Sequence, residues 1–365
     1  MSKLPALFSL AAFCAQGQLA SFKRIAFLED ARANYQGGAL VGPETGKKPQ
    51  LYAWGDGFRL LRLPKGKARS SVRGVQYGAG GCLMDVNQDG VEDLIVHRRA
   101  DRAGELGRMV WLEAPEWQES VIDTDSEFSD CLATTLFGKS GVLVVHRESQ
   151  IRFYEAPSKK EGRWPYREIY SIYTPSAQGG LLRADVDGNG HGDILCGNYW
   201  LQSPEMPEGP WKLFAIHNWW EKEQSAMVGL AQARTLETPF PVLFAAQRAE
   251  SPARVAWFER PRDLQQMWNE TRLEAIPPIR RIGALAVADL NGDLRPDLAL
   301  AENDGDGSRL LIYWAIGGSR YQGTRIDLTP GLMGLWATDY DGDGDLDLFG
   351  LGRQTYMAWK NQRLK

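Results

Sequence analysis

The chain has 365 residues, of which 24% are charged and 43% hydrophobic. That composition excludes a disordered protein and leaves room for two ordinary domains or one large closed one. The formal net charge of −4 leaves no basic excess, so neither nucleic acid nor an anionic membrane is expected as a partner.

The chain opens with one lysine, Lys3, and a 12-residue uncharged run from Leu4 to Ala15. The run is too short to span a bilayer, and small residues follow it. Residues 1–20 are read as a secretory signal cut after Gly17 or Ala20, which places the mature protein outside the cell or in the periplasm. The competing reading is a buried first strand. No later segment reads as a membrane span. Residues 21–365 are expected to form one domain and a monomer.

The next element is a strand over FKRIAF (22–27), followed by strands over GALV (38–41) and LYAW (51–54). A fuller unit then begins. Strand A (81–84) leads into the acidic loop DVNQDGVED (85–93), and strand B (94–96) leaves it. Strand C carries the phrase WLEAP (111–115), and Trp117 opens strand D. The pattern recurs along the chain. Acidic loops stand at 185–193, 289–297 and 339–347, and the phrase returns as FYEAP (153–157), WLQSP (200–204) and WFERP (257–261). Trp164, Trp211, Trp268 and Tyr321 open further D strands. Two worn units lack the acidic loop and keep strand B at 142–145 and 242–244. The loop starts lie 100, 104 and 50 residues apart, so a unit of about 50 residues fits. Four-stranded units of that length fit the blades of a β-propeller, and this count gives seven. The last unit lacks strand D, so the strand at 22–27 is expected to complete it and hide its edge.

The acidic loops place oxygen side chains at alternate positions around a turn glycine, a pattern that suits Ca²⁺. The ligand sets are Asp85, Asn87, Asp89 and Asp93; Asp185, Asp187, Asn189 and Asp193; Asp289, Asn291, Asp293 and Asp297; and Asp339, Asp341, Asp343 and Asp347. Up to four calcium ions are expected. The third set is the weakest, because Leu294 stands where the others have Gly90, Gly190 and Gly344, and a side chain disfavours a left-handed backbone. His191 lies inside loop two and is expected to offer only its backbone.

These loops and the strands after them resemble the FG-GAP/VCBS repeats of integrin α-chain propellers and of many exported bacterial proteins. The resemblance implies the propeller fold and calcium, but no one function. The tryptophan phrases are also similar, more weakly, to propellers of the aldos-2-ulose dehydratase kind, whose cupin-like parts have no counterpart here. In this family the face opposite the calcium loops is the usual ligand face. Carried onto this sequence, it would gather His97, Arg98, His146, Arg147, Asn198, Tyr199, Gln247, Arg248, Glu302, Asn303 and Arg353 around one opening. Trp219 and Trp220 would add a stacking platform. Such a ring suits the hydroxyls and carboxylates of an acidic sugar. Polar residues at loop starts are also ordinary structural features.

The expected function is therefore a calcium-binding module for a glycan or an extracellular protein. The alternative is a sugar lyase or dehydratase. There His97 or His146 would act as base, Arg98 or Arg147 would neutralise a carboxylate, and Tyr199 would lie nearby. No hydrolase triad, phosphate loop or zinc motif occurs. Asn269 heads a glycosylation sequon. After Cys14 the cysteines are Cys82, Cys131 and Cys196, an odd number that reads as small buried hydrophobes. Cys82 and Cys131 hold matching places in neighbouring units, so a bridge between them stays open.

Overall fold

The computed structural model describes residues 20–42, 48–63, 67–157, 162–173, 179–219, 227–234, 242–247, 252–275, 277–318 and 320–363. The expected signal segment lies outside them, apart from Ala20. Among the described residues there are 26 strands and no helix.

The strands follow one another as antiparallel sheets. After β1 (Phe22–Glu29), the first sheet runs in chain order through β2 (Tyr35–Val41), β3 (Gln50–Arg62), β4 (Lys67–Met84), β5 (Asp93–Arg98), β6 (Arg108–Glu113) and β7 (Gln118–Asp123). The second holds β8 (Phe128–Leu136), β9 (Lys139–His146), β10 (Gln150–Glu155) and β11 (Tyr166–Ser171). The third holds β12 (Leu181–Ala184), β13 (Asp193–Cys196), β14 (Tyr199–Gln202) and β15 (Lys212–Ala215). The fourth holds β16 (Met227–Ala233), β17 (Val242–Gln247), β18 (Val255–Glu259) and β19 (Asn269–Arg272). The fifth holds β20 (Ile282–Ala288), β21 (Asp297–Glu302), β22 (Ser308–Ala315) and β23 (Tyr321–Thr329). In the sixth, β24 (Gly334–Thr338), β25 (Asp347–Leu351) and β26 (Thr355–Asn361) are joined by β1.

The all-β propeller holds, but the expectation of seven four-stranded blades does not. There are six sheets, one of them six-stranded, and none closes on itself. The cause is β4. A unit boundary falls within this 18-residue strand, yet the chain runs on without a break. Its first part pairs with β3, from Lys67 to Gln76, and its second part with β5, from Tyr77 to Met84. The register shifts between Tyr77 and Gly81 absorb the irregularity as a bulge.

Sequence explains why the other strands stack as they do. Second strands are continuous apolar runs, and β17, β21 and β25 are buried along their whole length, with a sheet on either side. Outer strands such as β7 and β23 mix polar with apolar residues and are half exposed. The repeated aromatics bind neighbours together. Trp111 on β6 meets Trp164, just before β11, with ring centroids 6.5 Å apart. Trp257 on β18 meets Tyr321 of β23 at 6.0 Å. Phe22 plays the same part for the last sheet, stacking on Trp314 of β22 at 6.5 Å.

β1 takes the place expected of it, pairing with β26 from Phe22 opposite Asn361 to Glu29 opposite Thr355. Arg24 clamps it further through Asp327, which also accepts the Trp359 indole N–H at 2.6 Å. The first and last sheets share a core containing Tyr35, Leu51, Phe349 and Tyr356. Cys82 of β4 and Cys131 of β8 form a disulfide, while Cys196 is free and buried.

Candidate functional site: acidic loops and an opposite cleft

All four acidic loops join the first and second strands of a unit. Antiparallel order therefore puts them at one end of the sheets, together with the turn that follows each tryptophan phrase. Their internal bonding is nearly identical. The first aspartate receives the N–H of the sixth residue through Oδ2: Gly90 to Asp85 at 2.9 Å, Gly190 to Asp185 at 3.0 Å, Leu294 to Asp289 at 2.9 Å and Gly344 to Asp339 at 3.0 Å. The ninth is wholly buried and accepts two N–H groups. Asp193, for example, takes Val186 at 2.9 Å and Ser203 at 2.7 Å, tying the loop to the third strand.

Loop three does not lose this shape. Leu294 adopts the left-handed backbone, φ 64°, that Gly90, Gly190 and Gly344 adopt in theirs, and its side chain is 70% exposed. The sequence departure therefore appears as local strain and leaves the turn intact.

The donor sets fit a hard divalent cation. In loops two and four, carboxylate oxygens of the first, third and ninth residues (Asp185, Asp187 and Asp193; Asp339, Asp341 and Asp347) lie within 4.8 Å of one another. Loops one and three have Asn87 and Asn291 in the third place. Burial pushes the ninth carboxylate upward in every loop, Asp93 included, and takes it to about 6 for Asp193 and about 7 for Asp297 and Asp347. Carboxylates crowded away from water favour either a proton or a cation. Asp345, the seventh residue of loop four, adds a fifth carboxylate that the four-ligand pattern missed. It is 7% exposed, and its Oδ1 has no hydrogen-bond partner.

At the opposite end, the loops after second strands meet those before first strands. Clefts open there among the described residues, three of which bear on the site. One, of ≈ 630 Å³, holds His97, Arg99, Glu127, Ser129, Arg147 and Glu148. His97 is 9% exposed, and its ring fits between two glycines. A Cβ on Gly78 would sit 2.4 Å from Nδ1, and one on Gly107 2.3 Å from Nε2. Burial holds its pKa below the ordinary value. Arg147 and Glu148 occupy the centre of the turn after β9, both at positive φ, 46° and 59°. Each such non-glycine residue costs about 1–3 kcal/mol. Arg147 reaches Asp125 at 2.7 Å. The other two clefts are lined by Arg353, Phe27 and Leu328 (≈ 580 Å³), and by Arg254, Arg272 and Glu274 (≈ 630 Å³).

The sequence-derived ring is thus divided. The first cleft gathers His97 and Arg147, and Arg353 lies in another. Arg98 turns to Glu119 and Asp101. His146 is 2% exposed, its Nδ1 has no partner, and burial lowers its pKa to about 4. Asn198 is buried, and Tyr199 packs against the core between the second and third sheets. Trp219 is buried beside His217 and Phe258, and Gln247 donates to its carbonyl at 3.1 Å. Glu302 is fully buried. Burial alone would raise its pKa, but hydrogen bonds from Arg309 and Arg280 outweigh this and hold it at about 2. Asn303 is half-buried, its N–H bonded to the Arg281 carbonyl. Trp220 and Arg248 lie outside the described residues. Glu127 and Ser129 went unnoticed in the sequence, because they reach the cleft from the start of the next sheet.

Residues 289–350, from acidic loop three through acidic loop four, match the family model of the FG-GAP-like repeat. This segment is an FG-GAP-like repeat, set in an all-β propeller. No curated protein matches the chain. The FG-GAP match covers loops three and four and the sheet boundary between them, and loops one and two share their hydrogen bonding.

Proposed function

We propose that this FG-GAP propeller is an exported, calcium-loaded binding module, and that the cleft at His97 and Arg147 takes a carboxylate-bearing glycan. The observation that carries the ligand reading is the strained Arg147–Glu148 turn over a cleft that also holds Arg99 and His97. Backbone strain of this kind persists where a side chain must be aimed, and guanidinium groups pair with carboxylates in two-pronged fashion. Calcium is supported by the clustered carboxylates of loops two and four. Export is supported by the apolar N-terminal run and by the Cys82–Cys131 bridge, since disulfides persist in oxidising compartments.

A second reading, a carbon–oxygen lyase or dehydratase, is favoured by one feature. Burial lowers the pKa of His97 and so favours the neutral imidazole that a base requires, in the cleft that Arg147 also lines. One experiment addresses both readings. Purified protein is titrated with uronic-acid oligosaccharides while ultraviolet absorbance is followed for unsaturated products. Saturable binding, lost in Arg147→Ala without absorbance change, supports the module. A rise in absorbance that depends on His97 supports the lyase. No binding by either protein overturns the glycan assignment.

A further inference from the structure

Loop four differs from the other three in what lies over it. The residue before the N–H that caps the ninth aspartate is Glu113 at loop one, Gln202 at loop two, Trp314 at loop three and Lys360 at loop four. At loops one and two this position makes amide hydrogen bonds, Asn87 Nδ2 to Glu113 at 3.2 Å and Gln202 Nε2 to Asp187 at 2.6 Å. At loop four the Lys360 ammonium instead sits on Asp341 and lies 3.1 Å from Asp343. It bonds two of the three sequence-derived ligands that follow Asp339. One positive charge facing five carboxylates leaves the cluster undercompensated, and the buried, unpartnered Oδ1 of Asp345 is the local sign of that deficit.

We propose that Lys360 is a built-in counter-cation of loop four, which a divalent ion must displace to reach Asp341 and Asp343. This rests on the reading of the loops as calcium sites. Loop four then holds its shape without metal and fills at a higher calcium concentration than loop two. The displaced side chain has somewhere to go, since Lys360 is already 32% exposed.

The test is calorimetric calcium titration of the full chain, chelated beforehand, as wild type, Lys360→Met and Asp185→Asn. Thermal melting of each in chelator runs alongside. Lys360→Met should melt lower than wild type in chelator and bind one calcium about tenfold or more tighter, because a unit charge a few ångströms from the ion has been removed. Asp185→Asn should lose a different, tighter site. If Lys360→Met melts lower but binds calcium as wild type does, Lys360 is only a structural ion pair and the proposal fails. No heat from wild type or from either variant overturns the calcium reading and this proposal together. Should Lys360→Met fail to fold, Lys360→Gln gives the same comparison.

Discussion

Replacing Asp193 by asparagine separates the two duties of a ninth-position carboxylate. In the metal-free protein the wholly buried carboxylate has its pKa raised to about 6, chiefly by burial. A raised folded-state pKa stabilises only while the group is protonated. That contribution is complete below the ordinary value of about 3.9 and is lost as pH rises through about 6. At pH 7.5 the chelated wild type therefore carries a penalty of about 3 kcal/mol. Asparagine removes that penalty. It keeps one of the two bonds, from Val186 or Ser203, and sets its amide against the other N–H at a cost of about 1–3 kcal/mol. The chelated variant should thus melt at or slightly above wild type. With calcium at a hundredfold excess it forgoes about 2.7 kcal/mol of ligand stabilisation. At about 2 °C per kcal/mol, the gap between calcium and chelator melting temperatures should narrow by about 5 °C. Differential scanning calorimetry reads both conditions. An unchanged gap would show that loop two takes no stabilising cation.

Leu294→Gly should leave stability unchanged or raise it by up to about 1 kcal/mol in urea unfolding, because it trades an exposed side chain for relief of a left-handed backbone. A loss above that size would mean that Leu294 packs on something the loop needs. His146 should make the protein acid-labile. Its folded pKa is lowered to about 4, so its contribution is present above about 6.5 and is lost as pH falls towards 4, at a cost of about 3 kcal/mol. His146→Phe should flatten that decline in chelator, and an equally steep decline would refute the assignment. Deleting Ser21 to Leu28 should yield oligomeric or insoluble protein by light scattering, since β26 would be left as an open edge and Trp314 without Phe22. A stable monomer would show that β1 is dispensable.

Much of the fold was legible because one repeat writes the same physics several times. The repeated aromatics set the phase, and the structure shows why: Trp111 of one phrase meets Trp164, which opens strand D of the next unit, between neighbouring sheets. Phe22 was readable as a closing strand because it opens the same polar–apolar pattern. The blade count failed at β4. There one unbroken strand serves two partners, β3 up to Gln76 and β5 from Tyr77 onward, across a boundary that the period alone would cut. The acidic loops were fully legible, being local. Lys360 and Asp345 were not, because one reaches its loop only by strand pairing and the other is distinguished by burial. The placement of the candidate ring residues was partly legible for the same reason. Repeat position predicts which end of a strand a residue occupies. It does not say whether the side chain points into a cleft, as for His97, or into the core, as for His146 and Glu302.

The central claim is that the acidic loops hold calcium, and direct titration of the chelated, full-length protein by isothermal calorimetry tests it most closely. The account predicts saturable binding of more than one ion, with one site removed by Asp185→Asn and another by Asp289→Asn. Heats indistinguishable from dilution, in protein shown by melting to be folded, would contradict it.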